Sequence, residues 1–438
     1  MRHAIATLIA LVATAPFAHA QVTLAEAPAA GDCARYSVEL DLSGKLIVTQ
    51  EGRKEFITLA AKARHVFAER TLAAAADGLP ARSARHYDGA AASAVVGGDK
   101  SDRALPNDRS LIVALRNSDG AFCFALAGPL TRDELDLVTE HFNPQCLAGL
   151  LPGKAVNVGD TWIVTPAAAQ AACSFDGLVK NGLTGKLTAA ANGLATFTIE
   201  GTAEGIEHGA KVTLAVTATG TFDTNAKRIT ALTWKQKDDR EQGPVAPASQ
   251  LEATVVLKRE VLAQAPKELT DVALAAVPKG EVPVAMTFLR HADPKGRYAL
   301  VYPRDWHVTG QTDQHLILRL LDKGEFIAQA TVVAWKKTDA GKHTPADEFK
   351  KAVNNSAGWT VSRVLEDAET ASPDGRWTYR IAAEGKMDEL PVVQSFNLVA
   401  GPLGDQAAVT FAMKPDKVKA VGARDRELVN AIAFPPKK

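Results

Sequence analysis

Residues 211–223, "KVTLAVTATGTFD", alternate with a period of two: Val212, Leu214, Val216, Ala218 and Phe222 fall on one side, and Thr213, Thr217, Thr219 and Thr221 on the other. Such a pattern sets one face of a strand in a core and the other in water, where threonine is well suited. "LATFTIEGTAEGI" alternates in the same way, and "EHG" between the two runs has the composition of a tight hairpin turn. "RITALTWKQK" and "ASQLEATVVLKRE" continue the series. Nearer the N-terminus, "ARYSVELDLSGKLIVTQ" sets Ser43-Gly44 between alternating runs and predicts a hairpin there. "EFITLAAKARHVFAERTL", "RSLIVALRN" and "GAFCFALAG" extend the pattern. One face buried and one wet is the mark of antiparallel pairing, so a large, mostly antiparallel sheet is expected.

Helical spacing interrupts this meander. In "LTRDELDLVTEHF", Thr131 and Glu134 have the spacing of a capping box, and Leu135, Val138 and Phe142 share a helical face. "TPAAAQAACSF" is a second candidate, with Pro166 in the first turn. The chain has 438 residues, more than one core of about 250–300 residues supports, so two domains are expected. The composition changes at "LAQAPKELTDVALAAVPKGEVPVA", which has three prolines and little periodicity and reads as a linker or a wrapping connection. The expected division is an antiparallel β domain with a covering helix over 28–262, a linker over 263–283, and a second domain over 284–436.

The leader "MRHAIATLIALVATAPFAHA" has a basic start, a short apolar run and an Ala-x-Ala end, the parts of a secretory signal peptide over 1–20 cleaved near Ala20. Its apolar run falls short of the ~20 residues a membrane span needs. The mature chain is therefore expected to be extracytoplasmic, periplasmic or secreted, with no integral membrane anchor, and the Ala-rich leader fits a bacterial host. Fifty basic residues balance fifty acidic ones, and neither half has the basic stripe of a nucleic-acid binder. Cys33, Cys123, Cys146 and Cys173 lack metal-binding spacing. In an oxidising compartment two disulfides are the expectation. Of three possible pairings, Cys146–Cys173 is favoured because it closes a short, plausible loop around "LPGKAVNVGDTW", and Cys33–Cys123 follows by elimination. Buried thiols are the other reading.

That same segment, Leu151 to Trp162, resembles a "P-x-x-x-V-x-V-G-D-x-W" element of exported bacterial proteins with meandering β architecture. Val156 and Val158 are expected to point inward, Gly159-Asp160 to turn, and Trp162 to plug the sheet. Asp160 then either bonds the backbone of its own turn or serves as a catalytic acid. After residue 284 strands mix with helices: "TPADEFKKAVNN", with Thr344 as N-cap, and a final helix from about Asp416 to Ala433. The strand "YALVYPRDWHV", the helix "ADEFKKAV" and the ending "FNLVAG…AVTFAMK…ELVNAIAF" resemble the PsbP-like fold family, which includes an extrinsic photosystem II subunit and a Ran-binding protein. The resemblance covers nearly all of 284–436. It implies an α+β chain whose second domain is an α/β/α sandwich with an antiparallel sheet, and it carries no site residue across.

In "YPRDWHV", Pro303 ends a strand, Arg304-Asp305 is turn chemistry and Trp306 covers the sheet. Asp160, Trp162, Pro303 and Trp306 are thus expected to be structural anchors. The sequence has no nucleophile elbow, HExxH, phosphate loop or dinucleotide-binding glycine pattern. His141 is the best single candidate for a base or metal ligand, and with Cys146 for a nucleophile pair. No catalytic residue, metal or cofactor is expected. The leading expectation is a non-enzymatic exported protein that binds a partner protein, an envelope component or a small ligand. One alternative is a carrier of an apolar ligand in the first domain, against which many inward residues are Ala and Thr. The other is a hydrolase using carboxylates such as Asp160 or Asp305 at a cleft between domains.

Overall fold

The computed structural model describes residues 21–50, 52–117, 120–139, 142–371 and 375–434; the expected signal peptide and His141 lie outside them. The fold is mostly antiparallel β-sheet, in several sheets. Its N-terminal half begins with strands β1 (Val22–Leu24), β2 (Cys33–Gln50), β3 (Arg53–Ala74), β4 (Pro80–Val96) and β5 (Asp99–Ala104). Next come β6 (Leu111–Asn117), β7 (Gly120–Ala125), helix α1 (Arg132–Thr139), β8 (Lys154–Val156), β9 (Thr161–Ile163) and helix α2 (Pro166–Ala172). Strands β10 (Gly177–Asn181), β11 (Thr184–Ala191), β12 (Leu194–Glu207), β13 (Ala210–Asp223), β14 (Arg228–Arg240) and β15 (Ala248–Leu262) complete it. The main sheet runs β7-β6-β4-β3-β2-β15-β14-β13-β12-β11-β9, with β5 beside β4 and β10 beside β12. β15 joins β2 antiparallel from Leu262↔Cys33 to Ala248↔Ile47, so the two ends of this half meet in mid-sheet.

The chain does not turn at Ser43-Gly44. β2 runs straight through, because a Cβ on Gly44 would stand 2.1 Å from the Gln250 carbonyl oxygen of β15. Here glycine permits a close backbone approach. At "EHG" the turn does form, with His208 (φ 46°) and Gly209 (φ 78°) both left-handed, as a two-residue hairpin with matching twist requires. The capping box also forms: Thr131 N donates to Glu134 Oε2 (2.8 Å), and Glu134 N to Thr131 Oγ1 (3.1 Å).

The C-terminal half comprises helix α3 (Val284–Thr287), β16 (Leu289–Ala292), β17 (Ala299–Tyr302), β18 (Trp306–Gln311), β19 (His315–Asp322) and β20 (Glu325–Trp335). Then follow α4 (Ala346–Asn354), β21 (Trp359–Ala371), β22 (Trp377–Met387), β23 (Leu390–Ala400) and β24 (Gln406–Met413). Helices α5 (Val418–Val421) and α6 (Arg424–Asn430) and strand β25 (Ile432–Ala433) end the described chain. Seven strands form a sheet in the order β18-β19-β20-β24-β23-β22-β21, and β16-β17-β25 form a small one. The expected last helix is two short ones, because Gly422 leaves the helical region (φ 60°) between them. Pro345 takes the N-cap place of α4, and the backbone N–H of buried Thr344 donates instead to Gln406 Oε1 (2.9 Å).

The two halves share their packing. One apolar cluster extends from Leu24 through Trp234 and Trp306 to Ile432. Residues 263–283 wrap the sheet: Leu269, Leu274 and Val277 bury against Ala68, Val113 and Phe124. The Arg82 guanidinium, from β4, donates to the Pro278 and Gly280 carbonyls of that wrap.

Candidate functional site

Cross-strand register builds the first site. Directly paired residues on antiparallel strands share a face, so Val255, Leu40, Ala63 and Ala92 form one row across β15, β2, β3 and β4. Ala253, Leu42, Ala61 and Ala94 form the next, and Leu251, Gly44, Leu59 and Val96 a third. The opposite face at the same place carries Asp41, Lys62, Glu39 and Arg64. The apolar face is only partly covered: α1 and the segment after it contribute Leu137, Val138, Phe142 and Pro144 at one end. Beyond them the alanines are half-buried, and their short side chains leave a hollow of about 280 Å³.

A buried ion pair closes the floor of the hollow. Arg85 Nε donates to Glu69 Oε2 (2.6 Å) and Nη2 to Asn143 Oδ1 (3.0 Å), with both charged side chains about 5% exposed or less. Glu69 holds Arg85 protonated against the cost of its burial. Tyr87 lines the hollow beside them, and burial pushes its hydroxyl up to about 12.

A second cavity, a cleft of about 610 Å³, lies between the two halves and is rich in polar groups. His208, at the β12–β13 turn, meets His307 of β18 with ring centroids 5.2 Å apart and planes at 62°. The turn fits closely: a Cβ on Gly209 would stand 2.1 Å from the Gly324 carbonyl oxygen. Burial pushes His208 down to about 4 and His307 to about 3, helped by Arg132, by Arg240 for His208, and by His208 for His307. Asp238 in the same cleft is pushed up to about 7 by burial, although Gln236 Nε2 donates to it (3.0 Å). Among the described residues no carboxylate pairs with either imidazole, and no three His, Cys, Asp or Glu side chains are placed to hold a metal ion. Both imidazoles are thus uncharged at neutral pH.

The residues singled out in the sequence are dispersed. Asp160 accepts from Asn157 N (2.8 Å) within its own turn, and Trp162 Nε1 donates to the Leu150 carbonyl (2.9 Å). Neither lines the cleft. Val156 is buried, but Val158 points out, 39% exposed. Pro303 accepts from Trp306 N (3.2 Å), and the wholly buried Trp306 packs edge-on against Phe411. Arg304 between them lies over the Phe122 ring and donates to the carbonyls of Cys123 and Thr287 (2.6 Å each), tying the second half to β7. Asp305 reaches the cleft, raised by burial and facing Arg424 at 3.5 Å. The Cys146–His141 pairing lies outside the described residues. His208 was missed because its chemistry arises only from its long-range encounter with His307.

The expected disulfides are corrected: all four cysteines are free, buried thiols. β6, β4 and β3 stand between Cys123 on β7 and Cys33 on β2. Four strand spacings are about 19 Å along the sheet, and a disulfide needs Cα atoms within about 7 Å. Cys146 and Cys173 lie near enough for one thiolate to disfavour the other, but each serves as a small apolar group. Burial pushes the Cys173 thiol up to about 12 and raises that of Cys146 as well.

No protein-family model matches the chain, and no curated protein does. Among solved structures it is similar to the PsbP protein (CyanoP) of Synechocystis sp. PCC 6803, with 17% identity over 36% of this chain and 98% of that one (TM-score 0.26). The Ran-binding protein Mog1p of Saccharomyces cerevisiae gives 15% identity over 34% and 95% (TM-score 0.26). Lipovitellin, in a structure of its lipid-protein interactions, gives 7% over 55% of this chain and 26% of that one (TM-score 0.32). Likenesses at this level assign no family.

Proposed function

We propose that the chain is an exported, non-enzymatic binding protein of two modules, the first of which carries an apolar ligand in the hollow of its sheet. The second module, PsbP-like in its order of elements, packs against the first and helps hold its shape. The observation that carries this reading is the hollow itself: an apolar sheet face lined by Ala61, Ala63, Ala92 and Ala94 and only partly covered. Apolar surface left open in this way marks a binding site or an interface. The hydrolase alternative loses Asp160, which is engaged in its own turn and does not line the cleft, while Asp305 reaches the cleft but faces Arg424.

The test is binding of a neutral apolar dye, N-phenylnaphthylamine, followed by its fluorescence. The wild-type chain is expected to bind it, and Ala61→Trp or Ala94→Trp to weaken binding about tenfold or more by filling the space. Each variant should keep its far-ultraviolet circular dichroism and denaturation midpoint. A wild-type chain that leaves the dye dark, or filled variants that bind it equally well, would overturn the proposal.

A further inference from the structure

The charges around the hollow narrow the ligand further. On the apolar face the basic side chains lining it are those of His65, Arg85 and Arg103, Lys62 turning its amine to Asp41 on the opposite face (3.0 Å), and among the described residues no aspartate or glutamate lines it. Arg85 is committed to Glu69 on the floor. Arg103 stands at the edge of the face, on β5. It pairs across β4–β5 with Ala92, so it ends the row that runs Val255, Leu40, Ala63, Ala92 on the apolar face. Its present partners are Asp133 (3.1 Å) and Asp136 (3.9 Å) of α1, and Asp133 is 65% exposed. The contact to Asp133, open to water, is the one that exchanges for another carboxylate, while Asp136, 15% exposed, is held by Arg132 as well (2.7 Å). Arginine's planar fork can bind a carboxylate through two parallel N–H···O bonds.

A volume of about 280 Å³ falls just below the usual range for a small-molecule site, ~300–1,000 Å³, and suits one chain rather than two. Resting on the carrier reading above, we infer that the occupant is a single-chain fatty-acid anion, its tail along the alanine rows and its carboxylate on Arg103.

The experiment is displacement of bound N-phenylnaphthylamine by decanoate, decanol and decyltrimethylammonium, which share one tail and differ in head. Decanoate is expected to displace the dye at about tenfold lower concentration than decanol, with the cation weakest, and the preference should shrink as salt rises. Arg103→Gln should bring decanoate level with decanol while leaving decanol unchanged. Equal displacement by decanoate and decanol, or a preference that survives Arg103→Gln, overturns this inference and leaves the carrier reading standing. Failure of the dye to bind wild-type protein removes both.

Discussion

Replacing His208 with Asn and His307 with Gln should flatten the acid side of the stability profile. Asparagine suits position 208 because the backbone there is left-handed (φ 46°), which Asn tolerates. In the folded chain the two imidazoles titrate near 4 and 3, against an ordinary value of 6.5. Folded pKa values lowered in this way give stability that is fully present above 6.5 and is lost as pH falls toward the folded values, because the unfolded chain takes up protons first. Each histidine then costs about 1.4 kcal/mol per pH unit below 6.5, so moving to pH 5 costs about 2 kcal/mol per residue and about 4 kcal/mol for the pair. Asp238 acts in the opposite sense: its folded pKa near 7 exceeds its ordinary 3.8, so its protonation stabilises the fold as pH falls through this window. Wild type and variant both keep that effect, and those of the surface carboxylates, so their difference isolates the histidines. Urea denaturation followed by tryptophan fluorescence at pH 7 and pH 5 is the assay. Wild type should lose about 4 kcal/mol more than the double variant. Parallel losses would refute the reasoning and show that the cleft stays wet around both rings.

Two further substitutions test the packing of the first sheet. Glu69→Gln should cost about 3–5 kcal/mol in urea denaturation, because it leaves Arg85 buried and uncompensated, while Glu69→Gln with Arg85→Met should recover much of the loss. Gly185→Ala sets a Cβ 2.2 Å from the Trp162 ring and should cost about 1–3 kcal/mol by thermal or urea denaturation. Gly177→Ala, where nothing lies within 4 Å, should leave stability nearly unchanged.

What could be read from the sequence was local. The Thr131–Glu134 box and the His208-Gly209 turn formed because each depends on residues within a few positions of one another. Gly44 misled because glycine marks a turn and a close backbone approach with the same letter, and only the arrival of Gln250 on β15 decides between them. The Cys33–Cys123 pairing failed for a related reason. Elimination assumes that any two cysteines can meet, but strand order is set by long-range pairing, which left three strands between these two.

The alanines carry the same lesson to the candidate site. Read along the sequence, "AAKARH" and "GAAASAVV" look too thin to line a ligand site, since large apolar residues are what fill a core. A filled core, however, leaves no room for anything else. On β3 and β4 the small side chains sit in register with Leu40, Leu42 and Val255 on the neighbouring strands, and α1 covers only one end of that face. The face is therefore apolar without being filled by the protein's own side chains. Where α1, Phe142 and Trp234 pack together, the same sheet is an ordinary core with no space to spare. The change from large to small residues along two adjacent strands is what turns a core into a cavity, and it becomes visible only when register places the small residues side by side.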